Sequence, residues 1–366
     1  QRFPAIDITD FNGNVRPANH RYMEDVGDPD YQRYALRFAK ALGEHYARRP
    51  ARLAFGMDNE PGDGPISYSA TVRQRFIQWL KDKYQTPERL SEVWAGQRWS
   101  RRITDFNQVI LPRSGGMDGA PERVLDFRQF ISDEVRLFQT RVIAQTHAIA
   151  PNAHITGNMW YYSPLKQFDY APIAYSGAVS RGGAGCYPGN SLIENGGLRH
   201  AMFGVMRIQY ESSTPFWCTE FTTMTAAPGS IRKTAFASLL FGNQMVLGWT
   251  WASMHSGEEQ YLQGLLDWDG QPNRKYDEYR QIATEFARIE AHGFPYQVQA
   301  DVAIALSFPS QIASVSFPQS HEAQAQSAGG NACVSGSARA PETAILDFVS
   351  SPEALLARHP EGGRAL

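Results

Sequence analysis

The stretch Leu53-Ala54-Phe55-Gly56-Met57-Asp58-Asn59-Glu60-Pro61-Gly62 joins a short apolar run to a polar end. The run has the length of a strand buried on both faces of a parallel sheet. Polar residues at the carboxyl end of such a strand are where α/β enzymes keep their chemistry. The pattern recurs in Pro215-Phe216-Trp217-Cys218-Thr219-Glu220, a second short apolar strand that ends in a carboxylate.

Working outward, further strands are predicted at about 153–158, 176–180 and 244–251, beside those at about 52–57 and 215–220. Helices are predicted between them. Asp28-Pro29-Asp30 opens one that runs to about Tyr46, with Tyr34, Phe38, Leu42 and Tyr46 recurring every four residues, and Arg49-Pro50 stops it. Val72, Phe76, Leu80 and Tyr84 form one stripe of a helix over 71–84. Others are predicted at about 87–95, 121–149 (Pro121 in the first turn), 197–211, 229–242 and 275–291. Between 180 and 188 a Gly-rich turn is expected, ending in Cys186-Tyr187-Pro188. Alternation of helix and strand argues for a parallel sheet with right-handed crossovers. Five strands are fewer than a closed eight-stranded barrel needs, so the sheet is open or the chain is a piece of a longer one. Asp301–Leu306 reads as the first strand of a second domain. Residues 319–366 read as a disordered tail, Ser-, Ala-, Gly- and Gln-rich up to about 340.

Composition excludes several classes. The chain is 42% hydrophobic, and 35 Lys and Arg stand against 37 Asp and Glu. That balance points to neither nucleic acid nor an anionic membrane surface, and no uninterrupted apolar stretch has the length of a transmembrane helix. Three scattered cysteines, Cys186, Cys218 and Cys333, suit neither a zinc site nor a disulfide scaffold. The compartment is left open, with the cytoplasm the favoured reading.

Glu60 and Glu220 each close an apolar strand, and in a parallel barrel such ends share one face. Two facing carboxylates are what glycoside cleavage needs: one protonates the leaving oxygen, the other attacks or stabilises the anomeric carbon. Asn59 suits a hydrogen bond to the sugar 2-hydroxyl. Each Glu can equally be an ordinary strand-end residue. Trp249 and Trp251 offer a platform for a sugar ring or plain packing, and only one of them should face inward.

Gly56-Met57-Asp58-Asn59-Glu60 resembles the acid/base strand of retaining clan A glycosidases, and more narrowly that of glycoside hydrolase family 42, the β-galactosidases. The resemblance continues in order through Phe76-Ile77-Gln78-Trp79-Leu80-Lys81-Asp82-Lys83-Tyr84, Leu90-Ser91-Glu92-Val93-Trp94, Trp99-Ser100, Leu125-Asp126-Phe127-Arg128-Gln129-Phe130, Thr156-Gly157-Asn158-Met159, Tyr187-Pro188, the strand ending at Glu220, and Gly257-Glu258-Glu259-Gln260-Tyr261. It covers about residues 20–308. It implies an α/β fold of (β/α)8 TIM-barrel type, incomplete at the N-terminus, over residues 1–300. It implies a second α/β domain that begins at 301–318 and mediates trimer contacts in the family. This chain, which begins at Gln1, is therefore expected to be a piece of a longer enzyme.

By the same resemblance Glu60 is the general acid/base and Glu220 the nucleophile of a retaining mechanism with no cofactor. Glu60 should be the more desolvated of the two. Tyr187 matches a tyrosine that hydrogen-bonds the nucleophile, and Glu259 one that binds sugar hydroxyls.

There are departures. Pro61 to Tyr68 lacks the family's zinc cysteines, so no metal is expected; Leu262 stands where the family commonly has His, and Pro228 where it has Trp. His255 in the same loop is the candidate substitute for the missing hydroxyl partner. The reading is a retaining β-glycosidase acting on carbohydrate, β-galactosides first. An endo-acting enzyme on galactan or agar-type polymers, suggested by Trp160, Tyr161 and Tyr162, and a non-catalytic carbohydrate-binding remnant are the alternatives.

Overall fold

The computed structural model describes residues 6–16, 21–22, 24–47, 54–61, 66–112, 120–158, 182–186, 214–223, 227–293 and 307–316. The chain divides into two compact units, 1–76 with 130–299, and 77–129 with 300–366. The predicted strand at 176–180, the helix at 197–211, Tyr187, the aromatic run 160–162, the strand at 301–306 and the tail from 319 lie outside the described residues.

Among the described residues the first unit has five strands in two parallel sheets: β1 (Ala54–Asn59) and β2 (His154–Asn158), and β3 (Gly182–Cys186), β4 (Phe216–Thr222) and β5 (Asn243–Trp249). β1 pairs with β2, and β3, β4 and β5 pair in that order, so the described strands neighbour one another in chain order. The core beneath them gathers Ile155, Phe216, Cys218 and Phe221 from the strands and Val135, Ile143, Ile231 and Ala235 from the helices. β1 adds Met57 to it, and Val246 of β5 packs against it.

β3 replaces the expected Gly-rich turn. Gly182-Gly183-Ala184-Gly185-Cys186 is a strand because bulk would exclude it: a Cβ on Gly183 would stand 2.1 Å from the Gly157 carbonyl oxygen of β2 and 2.5 Å from Thr156 Oγ1. Glycine in a strand marks such a close backbone approach.

Five helices contribute to this unit among the described residues. In α1 (Pro29–Tyr46) the Asp28 side chain accepts from the Asp30 and Tyr31 amides, a standard N-cap. Its predicted apolar face is corrected: Phe38 is 69% exposed, and Gln32 and Gly43 are the buried positions. Gly43 packs on Ile149, where a Cβ would meet the isoleucine at 3.4 Å. The absent side chain decides which face of α1 goes in. α2 (Ala70–Tyr84) and α4 (Pro121–Ile149) begin or end in this unit, and α5 (Ser230–Leu240) and α6 (Arg274–Glu290) lie wholly in it. Val72, Phe76 and Leu80 of α2 are buried as predicted. Arg75 is held by Asp25 at 2.8 Å and Glu134 at 2.7 Å.

In the second unit, α3 (Pro87–Val93) is capped by Thr86, and α7 (Phe308–Ser316) is a helix in the stretch expected to open another domain. Three of the motifs behind the family resemblance meet here. Buried Asp126 accepts from Lys83 Nζ (2.7 Å), Tyr84 OH (2.7 Å) and Trp94 Nε1 (2.8 Å). Their role is structural: one carboxylate ties the end of α2, α3 and the start of α4 together. Among the described residues no helix is long and apolar enough to cross a membrane.

Candidate active site

Parallel strands put their carboxyl ends on one side, and the candidate residues collect there. β1 ends at Asn59, so Glu60 is the first residue beyond it, as expected. Glu220 differs: β4 runs on to Thr222, and Glu220 sits inside the strand. A bulge explains how it still faces the site. Ala184 pairs with Cys218 and Gly185 with Glu220, which leaves Thr219 as an extra residue. An extra residue re-aims the side chains that follow it. A second shift lies in β1, where Gly56 pairs with Thr156 and Asn59 with Asn158.

The two glutamates are linked through Asn59 and Arg21. Its amide lies 2.8 Å from that of Asn158. Assigned from its hydrogen-bonding neighbours, the Asn59 amide turns its nitrogen to Glu220 Oε1 (3.1 Å) and its oxygen to Arg21 Nη2 (3.0 Å). Thr219 Oγ1 donates to the Gly157 carbonyl (3.2 Å) and lies 3.0 Å from the Asn158 side-chain amide, bringing alternate strands β2 and β4 together. Such contacts between alternate strands are how inward side chains stack in a barrel.

Glu60 Oε2 accepts from Arg21 Nη2 at 2.7 Å and from Tyr22 OH at 2.6 Å. Its side chain is 7% exposed, whereas Glu220 is half-buried. The Glu60 backbone is left-handed, with φ of 44°. That conformation costs a non-glycine residue about 1–2 kcal/mol, and strain of this kind concentrates at functional positions. Arg21 and Tyr22 were missed by sequence reasoning. They stand in a segment without regular structure, and no spacing links them to Glu60.

Glu259 comes to this cluster, with Oε1 3.7 Å from Arg21 Nη1. Trp249 is half-buried at the end of β5, and its peptide bond to Thr250 is cis. Trp251 is 59% exposed and meets Tyr276 edge-on. His255 is exposed on the same loop. Among the described residues no group of three or more His, Cys, Asp or Glu side chains could hold a metal ion.

Two nearby groups have shifted acidities. Burial raises the Asp58 carboxyl to about 6, against the Asn59 amide and Gln139, which favour its charged form. Burial lowers the Lys275 ammonium to about 8.

A family model described as "Beta-galactosidase", that of glycoside hydrolase family 42, matches residues 1–289. The chain belongs to this family. It is 27% identical over 329 residues to the β-galactosidase BgaA of a Thermus species, covering 84% of this chain and 50% of that protein. It is 23% identical to the β-galactosidase BbgII of Bifidobacterium bifidum, over 86% of this chain and 47% of that one. The solved structure of a β-galactosidase from Halorubrum lacusprofundi superposes with a TM-score of 0.80 at 22% identity, over 87% of this chain and 50% of the other. That likeness is one of fold, and these neighbours are TIM barrels. The chain spans about half the length of the curated relatives it matches.

Proposed function

We propose that the protein is a retaining β-galactosidase in which Glu60 is the acid/base and Glu220 the nucleophile. The observation that carries the reading is the pair of glutamates, Glu60 just beyond β1 and Glu220 near the end of β4, linked through the Asn59 amide and Arg21. In the first step Glu60, as the carboxylic acid, gives its proton to the glycosidic oxygen while a Glu220 oxygen attacks the anomeric carbon. The C–O bond to the aglycone breaks, an alcohol leaves, and a glycosyl ester forms on Glu220. Glu60, now a carboxylate, then takes a proton from water as that water attacks the same carbon. Two inversions restore the original configuration.

Asn59 holds one oxygen of Glu220 and leaves the other to attack. Arg21 and Tyr22 fix the Glu60 carboxyl, and Glu259, close to Arg21, is placed to receive sugar hydroxyls. Trp251 and Trp249 serve as the apolar wall for the ring, with His255 as a further hydroxyl partner and Tyr187 as the tyrosine that hydrogen-bonds Glu220. The five parallel strands are read as a sector of an eight-stranded barrel that is incomplete in this chain, and trimeric assembly is part of the same reading. Galactosides are preferred to polymers because the named relatives are β-galactosidases.

The test is hydrolysis of a panel of aryl β-glycosides by the protein and its Glu60→Ala and Glu220→Ala variants. A β-galactoside should be the best substrate, with each variant losing at least about 100-fold in kcat. Retention of activity by either variant would refute the assignment.

A further inference from the structure

The loop from Thr250 to Asn273, between β5 and α6, carries Trp251, His255 and Glu259, and a buried polar web holds it from beneath. Lys275, in the first turn of α6, is only 3% exposed. Its Nζ donates to the Gln263 carbonyl oxygen (3.3 Å) and to Gln263 Oε1 (3.2 Å). Thr223, three residues beyond Glu220, is fully buried, and its hydroxyl is shared between the Trp249 carbonyl and the same Gln263 carbonyl (3.1 Å). It also accepts from the Thr250 amide at 2.6 Å. Nearby, Asn273 Nδ2 donates to the Gly264 carbonyl (2.9 Å), and buried Ser253 accepts from the Gly264 amide (3.0 Å). On the far side of the loop Glu259 lies 3.7 Å from Arg21, which holds Glu60 at 2.7 Å.

A buried ammonium is costly unless its protons are satisfied. Here both described acceptors are oxygens of Gln263, and the lysine sits under a loop that reaches the candidate site. An apolar side chain of similar length would fill the space without that cost. The charge therefore needs a reason, and the geometry offers one. The Gln263 carbonyl is the junction where the end of β4, the start of α6 and the Glu259 loop converge.

We infer that Lys275 is a positioning residue: together with Thr223 it pins the Gln263 carbonyl and so holds Glu259 at the Arg21–Glu60 end of the site. The inference rests on the proposed function, with Glu259 as a group that binds the sugar.

The experiment uses Lys275→Met, Lys275→Arg, Gln263→Ala and Glu259→Ala, with an aryl β-galactoside as substrate. Lys275→Met should raise KM about 10-fold or more and change kcat by less than about threefold, because it loosens binding and leaves the reacting glutamates alone. Lys275→Arg should restore part of that loss. Combined with Glu259→Ala, Lys275→Met should cost nothing further in kcat/KM, since both act through one contact. An unchanged KM, or losses that multiply in the double variant, would overturn the inference. If Lys275→Met does not fold, Gln263→Ala decides: a KM raised in the same direction supports the pin, and an unchanged KM overturns it. If the wild-type protein cleaves no galactoside, the proposed function fails on its own. The pin is then read by amide hydrogen exchange over 255–263, which should quicken in the Lys275 or Gln263 variant and overturns the inference if it does not.

Discussion

Gly183→Ala probes the seam between β2 and β3, on which the ordering of all five strands depends. The new Cβ would stand 2.1 Å from the Gly157 oxygen and 2.5 Å from Thr156 Oγ1. Both are rigidly placed, one in the backbone and one on a β-branched side chain, so the strands must part by about 1 Å to reach ordinary contact. Forcing a methyl into a packed core costs about 1–3 kcal/mol. Parting the strands also strains the bonds from Thr219 Oγ1 to Gly157 and Asn158, now at 3.2 and 3.0 Å. At roughly 1 kcal/mol each, these bring the total to about 3–5 kcal/mol. Gly56→Ala is the matched control: it lies in β1, and a Cβ there meets nothing within 4 Å. It should be neutral or stabilising by up to about 1 kcal/mol. Urea unfolding followed by circular dichroism reads both, and Gly183→Ala should lower the midpoint by about 1 M or more. If the two variants unfold together, β2 and β3 are not in contact at Gly183 and the strand order is wrong.

Three further outcomes follow from the described contacts. Asp126→Ala removes the shared acceptor of Lys83, Tyr84 and Trp94 and should destabilise by about 3–5 kcal/mol in thermal unfolding; a loss below 1 kcal/mol would deny that this carboxylate organises its unit. Arg75→Met leaves Asp25 and Glu134 without their cation, so it should cost about 3–5 kcal/mol at pH 7 and less in acid, where Glu134, whose carboxyl burial pushes up, is neutral. A cost independent of pH would contradict the ion-pair account. Asp58 carries the opposite sign: with its folded pKa raised to about 6 from 3.8, its contribution is full below about pH 4 and is lost as pH rises through 6. Asp58→Asn should therefore stabilise the protein by up to about 3 kcal/mol above pH 7 and have little effect at pH 4, measured by urea unfolding at both pH values.

Much of the frame was legible in the sequence because polar ends and apolar periods carry information. The capped start of α1, the α2 stripe of Val72, Phe76 and Leu80, and the apolar run before Glu60 all lie where reading places them. β3 was illegible for a physical reason. Alternation is written in side chains, and Gly182-Gly183-Ala184-Gly185 has almost none. The face of α1 was misread because periodicity identifies a helix but not its neighbour; close packing at Gly43 turned the other side inward. At the site, strand-end glutamates could be found by pattern. Arg21 and Tyr22 could not, because only the folded chain brings that irregular segment to Glu60. The bulge at Thr219 was likewise hidden, since register belongs to pairs of strands.

The central claim is that Glu220 forms a glycosyl ester while Glu60 handles the proton. A 2-deoxy-2-fluoro-β-galactoside with a reactive leaving group slows the second step and traps that ester. Peptide mass mapping after inactivation should find one sugar per active site, on the peptide that contains Glu220, and none on the Glu220→Ala variant. An adduct on another residue, or hydrolysis of β-galactosides with no adduct at all, would contradict the account.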